Sequence, residues 1–299
     1  MNGSAGRGDG GVLGEHGYGK SGIRLLGMLG DAGVDGLVDL TVAVRLSGGA
    51  DDAYLAGDNA HMVTTDGQRN LVTAVVGRLL PAAVEDVALA IVAELSHCYP
   101  FVRRVEVSIE QRLWARASGW DADPPRAGSA QGGAAFALDS CERRVVRALA
   151  DGGPVQLWQG LAGITLLLTA GSAFEGFVVD GYTTNVAHHS RPIAGRLAAR
   201  WRGRAASQDW ARTRDVVRRS LVDAFASERS NSLQHLLTSM GRRALEAGDL
   251  VEIELGLESV QLAPVDERFG PAAPERLFDV VDTPFGDLHV TVEREPPAP

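Results

Sequence analysis

The sequence predicts an α+β fold in which antiparallel sheets each carry a pair of helices. Several stretches, of which residues 37–46 are the clearest, alternate apolar and polar residues as half-buried strands do. Other stretches place apolar residues at the three- and four-residue spacing of amphipathic helices. The order of these elements is strands, two helices, strands, and it occurs once in each half of the chain. Such an order favours two similar α+β units.

Four strands are predicted by alternation. In the first, Val38, Leu40 and Val42 share one face, whereas Asp39 and Thr41 share the other. The same pattern returns in three later stretches, namely 104–110, 251–257 and 288–292. One apolar and one polar face are typical of antiparallel sheets, since strands of parallel sheets are apolar on both faces.

Four helices are predicted by apolar periodicity. They cover the runs 71–80, 84–95, 210–225 and 233–245. We expect Asp66 to cap the first helix, because a short polar side chain at that position can accept a hydrogen bond from the first turn. Pro81 separates the first two helices, and Gly248 ends the last one.

The doubled layout predicts two domains, 18–150 and 151–295. A glycine-rich flexible arm, 1–17, precedes them, and a proline-rich tail, 296–299, follows. The stretch 119–133 is rich in Gly, Ala, Pro and Asp and is predicted to be an exposed loop.

Composition narrows the possible partners. The net charge of -9 argues against a nucleic-acid-binding surface, which is usually basic. No apolar run is long enough to span a bilayer, and the first residues lack the apolar segment of a secretory signal. Cys98 and Cys141 form neither a disulfide framework nor a metal-type spacing. We therefore expect a cytoplasmic protein that binds neither nucleic acid nor membrane.

Four segments, in order, carry a family resemblance. They are 18–26 (YGKSGIRLL), 57–70 (GDNAHMVTTDGQRN), 169–193 (TAGSAFEGFVVDGYTTNVAHHSRPI) and 231–246 (NSLQHLLTSMGRRALE), followed by 282–292 (DTPFGDLHVTV). In this order and at this spacing the chain resembles the urate oxidase family. The resemblance implies tandem tunnelling-fold (T-fold) domains and a homotetramer with active sites at subunit interfaces. It also implies oxidation of urate or a closely related 8-oxopurine, with O2 as co-substrate and no cofactor or metal.

The resemblance assigns two sets of site residues. Lys20 matches the lysine that starts the family's proton relay, and Thr65 matches its threonine partner. Asp66 matches the residue that supports the substrate through its backbone. Taken alone, each of these residues has an ordinary interpretation as a surface or helix-entry position. The functional interpretation depends on the ordered set.

The second set would hold the purine. Phe174 matches the phenylalanine that stacks on the ring, Arg191 the arginine that grips its pyrimidine edge, and Gln234 the glutamine opposite. Leu233 matches an aliphatic residue whose backbone touches the substrate. These residue types suit a planar anion, because arginine offers a rigid fork of donors and glutamine offers a donor and an acceptor. An aromatic ring under the purine fixes its tilt.

Two positions depart from the family pattern. The stretch that matches the family's Leu-Pro-Asn-Lys-His is 257–261 (LESVQ). Ser259 therefore replaces the asparagine that holds O2 or water above the ring, and Gln261 replaces the histidine that completes the relay. Glutamine does not titrate near neutral pH, whereas histidine does.

These departures leave alternatives open. The chain could be a urate oxidase with altered proton transfer, or it could apply the same cofactor-free chemistry to 8-oxoguanine and form a different product. A third alternative is a purine-binding homologue without catalysis. A pterin-type T-fold activity is disfavoured, because the cysteines lack the spacing of zinc ligands.

Overall fold

The computed structural model describes residues 12–30, 36–117, 135–204, 209–265 and 277–295, with the side chains of residues 139 and 140 excepted. The predicted loop 119–133 and the predicted tail 296–299 lie outside the described residues. Of the predicted arm, residues 1–11 also lie outside them. No helix in the described part is long and apolar enough to cross a membrane.

The described chain contains strands and helices in the doubled order that the sequence predicts. The first half consists of β1 (Tyr18–Leu29), β2 (Gly36–Ser47), α1 (Asp51–Leu55), α2 (Thr65–Leu79), α3 (Val84–Cys98), β3 (Arg104–Arg116) and β4 (Phe136–Asp151). The second half consists of β5 (Gln156–Phe174), β6 (His188–Gly203), α4 (Trp210–Ser227), α5 (Leu233–Ala247), β7 (Leu250–Pro264) and β8 (Phe278–Glu293). The predicted α+β class is confirmed.

All eight described strands form one antiparallel sheet in chain order. The four strands predicted by alternation are β2, β3, β7 and β8. The two halves are continuous, because β4 pairs with β5 from Leu149 opposite Gln156 to Arg143 opposite Ala162. The turn between these strands coincides with the predicted domain boundary. The division into 18–150 and 151–295 nevertheless stays a prediction.

The four predicted helices correspond to α2, α3, α4 and α5. One detail of the prediction was wrong, because the cap of α2 is Thr64 and not Asp66. The Thr64 side chain accepts a hydrogen bond from the Gly67 backbone N–H at 3.0 Å. Asp66 lies inside the first turn. Three consecutive residues here can act as caps, and the one three residues before Gly67 does so.

Each helix pair covers one half of the sheet with its own hydrophobic core. Buried residues of α2 and α3 pack on the first four strands, and those of α4 and α5 pack on the last four. A buried polar chain links the two cores. The Trp201 indole N–H donates to Gln159 at 3.0 Å, and the Gln159 amide donates to Glu85 at 2.7 Å. These bonds satisfy the Trp201 N–H, the Gln159 amide and Oε1 of Glu85, whereas Oε2 of Glu85 has no partner among the described residues.

The face of the sheet without helices is charged. Arg147 of β4 binds the Glu106 carboxylate of β3 through two hydrogen bonds of 2.8 and 3.1 Å. In the second half, Arg200 of β6 pairs with Glu254 of β7, its partner across the two strands, through one hydrogen bond. The polar residues predicted on the outer faces of the strands therefore form ion-pair rungs between neighbouring strands.

Candidate active site

The first group of predicted residues meets where β1 passes the beginning of α2. The Lys20 ammonium lies 3.8 Å from the Asp66 carboxylate, and 37% of the Lys20 side chain is exposed. Thr65 is the first residue of α2 and is exposed. The structure therefore brings Lys20, Thr65 and Asp66 to one place. The Lys20–Asp66 contact is too long and too exposed to stabilise the fold by itself.

Two local features explain this placement. The register between β1 and β2 shifts between Lys20 and Ile23, where Gly22 adopts a positive φ of 71°. The Val63 backbone N–H, just before α2, donates to the Tyr18 hydroxyl at 2.9 Å. Burial raises the pKa of the Tyr18 phenol. This bond attaches the entry of α2 to β1 two residues before Lys20.

The second group is built around Phe174, which ends β5, and Arg191, near the beginning of β6. The Arg191 guanidinium lies 4.8 Å from the centre of the Phe174 ring, and burial lowers its pKa. Phe177 stacks on the same ring at 4.8 Å with an interplanar angle of 15°. Two groups therefore already lie against Phe174. A purine that stacks on this ring must take the place of one of them.

Two buried polar atoms near this ring have no hydrogen-bond partner among the described residues. They are Nε of Arg191 and Oγ of Ser172. Ser172 is only 2% exposed and lies directly opposite Arg191 on the neighbouring strand. A buried donor without a partner costs about 1–3 kcal/mol, so an acceptor from a ligand would stabilise Arg191 here. Nothing in the sequence pattern distinguished Ser172 from other strand serines.

The segment just before α5 is attached to the end of β5. Ser172 forms a parallel bridge with Ser230, and the Ala173 backbone N–H donates to the Ser230 carbonyl at 3.0 Å. Gln234 and Leu233 follow in α5. Gln234 is exposed, and Leu233 is partly buried against the second core. The structure thus joins the segment before Gln234 to the strand end that carries Phe174.

Ser259 and Gln261 lie on β7 close to this end of the sheet. Ser259 pairs with Gly195 of β6 and with Gly286 of β8. Its hydroxyl lies 2.5 Å from the point where a Cβ on Gly286 would stand, so a side chain at Gly286 would require this hydroxyl to move. The register with β8 shifts between Ser259 and Gln261, and Gln261 is exposed.

The two groups are not in contact within one chain. No hydrogen bond, ion pair or ring contact among the described residues joins Lys20 or Thr65 to Phe174 or Arg191. Two clefts in the described part are lined by other residues. No three His, Cys, Asp or Glu residues there are grouped as metal ligands would be.

Comparison with known proteins gives the family. The Uricase family model matches residues 158–289, a range that contains Phe174, Arg191 and Gln234. The uricase of Arthrobacter globiformis is 31% identical over 286 residues, which cover 95% of this chain and 90% of that protein. The chain belongs to the uricase family. The family resemblance of the four sequence segments is confirmed, and the protein is an enzyme of the oxidoreductase class.

Solved uricases give the same architecture. The crystal structure of the Arthrobacter globiformis uricase matches with a TM-score of 0.84 over 96% of each chain. A uricase from Bacillus fastidious, only 18% identical, matches with a TM-score of 0.74 and supports the fold alone. The uricase of Oryctolagus cuniculus is 26% identical over 93% of both chains. The tandem T-fold class predicted from the resemblance is confirmed, whereas the roles of the individual site residues stay predictions.

Proposed function

We propose that this uricase-family protein oxidises urate or a closely related 8-oxopurine, with O2 as co-substrate and without a metal or an organic cofactor. The observation that carries the proposal is the pairing of Arg191 with Phe174. The guanidinium lies against an aromatic ring, and its buried Nε lacks a partner in the described chain. A flat anionic heterocycle supplies both an acceptor for that donor and a surface for that ring.

In the binding step, the purine stacks on Phe174 and its acidic edge receives hydrogen bonds from Arg191. Gln234, at the exposed beginning of α5, supplies a donor and an acceptor to the opposite edge. Leu233 and Asp66 contribute backbone groups. The guanidinium moves off the ring face to the purine edge as the substrate enters.

In the chemical step, Lys20 and Thr65 remove a proton from the purine, directly or through a bound water. The resulting anion is electron-rich and reduces O2 itself, so the substrate provides the electrons. Gln261 orients neighbouring groups by hydrogen bonding but stores no proton, because its amide does not titrate near neutral pH. Ser259 leaves more room above the ring than an asparagine would. Gln261 therefore alters proton transfer, and Ser259 alters the position of O2 or water above the ring.

The second candidate substrate is 8-oxoguanine. It is favoured by one specific observation, which is that Phe174 and Arg191 lie together while the relay positions have changed to Ser259 and Gln261. The purine slot formed by Phe174 and Arg191 is retained, whereas the relay beside it is altered. This combination favours chemistry on a purine related to urate. Purine binding without turnover would instead indicate a non-catalytic homologue.

The site is shared between neighbouring copies in a homotetramer. The proposal is supported by the edges of the sheet, β1 and β8, which are long and pair with only one strand each in the described chain. Such edges favour pairing with another chain. Exposed apolar side chains occur on both edge strands, among them Met28, which is 67% exposed, and Val280, also 67% exposed. Lys20 itself lies on β1.

The test is a substrate screen with metal-stripped protein, in which O2 uptake and the mass of the product are measured. Urate is expected to drive O2 uptake that chelators do not affect. Lys20→Ala and Thr65→Ala are expected to abolish turnover while leaving anaerobic purine binding largely unchanged. O2 uptake with 8-oxoguanine but not urate would replace the first candidate with the second. Full activity in both variants would refute the relay.

A further inference from the structure

A short polar segment before α5 is held by an unusually complete set of hydrogen bonds. The Ser230 hydroxyl lies 2.7 Å from the Ser232 carbonyl oxygen, 3.3 Å from the Ser232 backbone nitrogen and 3.0 Å from Nδ1 of His235. The Ser232 hydroxyl in turn accepts from the His235 backbone N–H at 3.1 Å and caps the helix. Ser230 is only 4% exposed, so its hydroxyl forms these bonds in place of hydrogen bonds to water.

Counting protons at the Ser230 hydroxyl favours one protonation state of the imidazole. A serine hydroxyl donates once and accepts twice. A carbonyl oxygen only accepts, so the single proton of Ser230 goes to the Ser232 carbonyl, and the Ser232 backbone N–H takes one lone pair. The bond to His235 must therefore use the second lone pair, with Nδ1–H as the donor. In the other tautomer Nδ1 would be an acceptor, so Nδ1 and the Ser232 carbonyl would compete for the single proton of the Ser230 hydroxyl.

This bond reaches the purine slot through the backbone of Ser230. The Ser230 carbonyl accepts from Ala173, the residue before Phe174, and Ser230 bridges Ser172, which lies opposite Arg191. We propose that His235 is a positioning residue. Its Nδ1–H holds Ser230 in place, and Ser230 holds the end of β5 against the first turn of α5. The distance between the Phe174–Arg191 wall and Gln234 then depends on His235. This inference rests on the proposed purine slot.

The first test addresses the tautomer and needs no substrate. Nitrogen-15 NMR of histidine-labelled protein at about pH 8, where an ordinary histidine is neutral, distinguishes a protonated Nδ1 from a protonated Nε2. The signal of His235 among the seven histidines is identified by its loss in His235→Asn. We expect Nδ1 to carry the proton. A predominant Nε2–H form would overturn the inference, whether or not the protein oxidises urate.

The second test addresses positioning, with anaerobic urate binding and steady-state kinetics as the readouts. His235→Ala is expected to weaken urate binding and raise KM by roughly two- to tenfold with a smaller change in kcat, since one hydrogen bond is lost outside the reacting atoms. His235→Asn places an amide donor near the position of Nδ1 and is expected to restore binding. His235→Gln places its amide near the position of Nε2 and is not expected to restore urate binding.

Arg242→Gln, on an exposed position of the same helix, is the control and is expected to bind urate as the wild type does. Unchanged binding in His235→Ala, or equal losses in the Asn and Gln variants, would overturn the inference. If the wild type binds no purine, the proposed function fails, and the tautomer measurement still decides the state of His235.

Discussion

At the scale of single residues, Arg191 is the residue on which the proposed recognition of the purine depends most. It lies against Phe174, its guanidinium is half-buried, and its Nε has no partner among the described residues. A structural arginine would be expected to bind a carboxylate, as Arg196, five residues further along β6, binds Glu258. The contrast between these two arginines separates a binding role from a structural one.

We therefore predict that Arg191→Lys weakens anaerobic urate binding by about tenfold or more, because lysine keeps the charge but loses the planar fork. Arg196→Lys is the matched control on the same strand and should change urate affinity little. Isothermal calorimetry on both variants measures the difference. Equal affinities for the two variants would show that Arg191 does not grip the purine.

Gln261 gives a second prediction at this scale. Gln261→His restores a titratable group at the altered relay position and is expected to raise kcat for urate by about tenfold or more. A neutral imidazole accepts the proton, so kcat should rise as pH increases through a value near 6.5. Gln261→Asn is the control and should show no such rise. If kcat for urate is no higher in Gln261→His than in the wild type, a different purine substrate is favoured.

At the scale of elements, the first turn of α2 determines where the proposed relay residues lie. Thr64 caps the helix, and Thr65 and Asp66 occupy its first turn beside Lys20. We predict that Thr64→Ala lowers the free energy of unfolding by about 1 kcal/mol, whereas Thr64→Ser retains the cap and changes it little. Urea unfolding monitored by circular dichroism compares the two. A loss of equal size in both would mean that the methyl group, and not the hydroxyl, stabilises this turn.

The rungs of the charged sheet face make stability depend on pH. The two hydrogen bonds from Arg147 hold the pKa of the Glu106 carboxyl below its ordinary value of 4.5. A carboxyl with a lowered folded-state pKa stabilises the fold above the ordinary value, and this contribution is lost as pH falls through the lower, folded-state value. The wild type should therefore exceed Glu106→Gln by about 1 kcal/mol at pH 7, and the difference should vanish in acid.

Denaturant unfolding at several pH values measures that difference. Glu246→Gln, on an exposed position of α5, is the control and should track the wild type throughout. A Glu106→Gln difference that persists unchanged below pH 3 would show that the rung contributes through packing rather than through charge.

The elements also show what the sequence can and cannot predict. Leu40 and Val42 alternate with polar neighbours because β2 is regular, and that strand was predicted correctly. β1, β4, β5 and β6 were not predicted by alternation. In β1 and β5, register shifts after Lys20 and Leu161 break the period of two. The cap of α2 was misassigned among three adjacent candidates, since only the tertiary position of the turn selects Thr64.

The candidate site likewise contains residues that the sequence predicts and residues that it does not. Phe174 and Arg191 were identified from the family resemblance, and the structure brings them together. The attachment of Ser172 to Ser230 could not be predicted, because it joins residues 58 positions apart through backbone groups that carry no sequence signal. The hydrogen bond from His235 depends on that attachment and was missed for the same reason.

At the scale of the whole molecule, the single sheet places the two parts of the site in different halves of the chain. Lys20 and Thr65 belong to the first half, and Phe174, Arg191 and Gln234 belong to the second. The described chain contains no contact that joins them, and its edge strands are open to pairing. The proposed function therefore requires that one copy supply the relay and that its neighbour supply the purine slot.

Co-expression of two inactive variants tests this requirement most directly. Lys20→Ala removes the proposed relay lysine, and Arg191→Gln removes the guanidinium that is proposed to bind the purine. A site that takes its relay from an Arg191→Gln copy and its purine slot from a Lys20→Ala copy has both parts intact. Activity should recover to about one quarter of the wild-type rate, because random mixing joins two intact parts in one site of four. Co-expressed Lys20→Ala and Thr65→Ala, both altered in the same part, should remain inactive. Failure of the first pair to recover any urate oxidation would contradict the shared site.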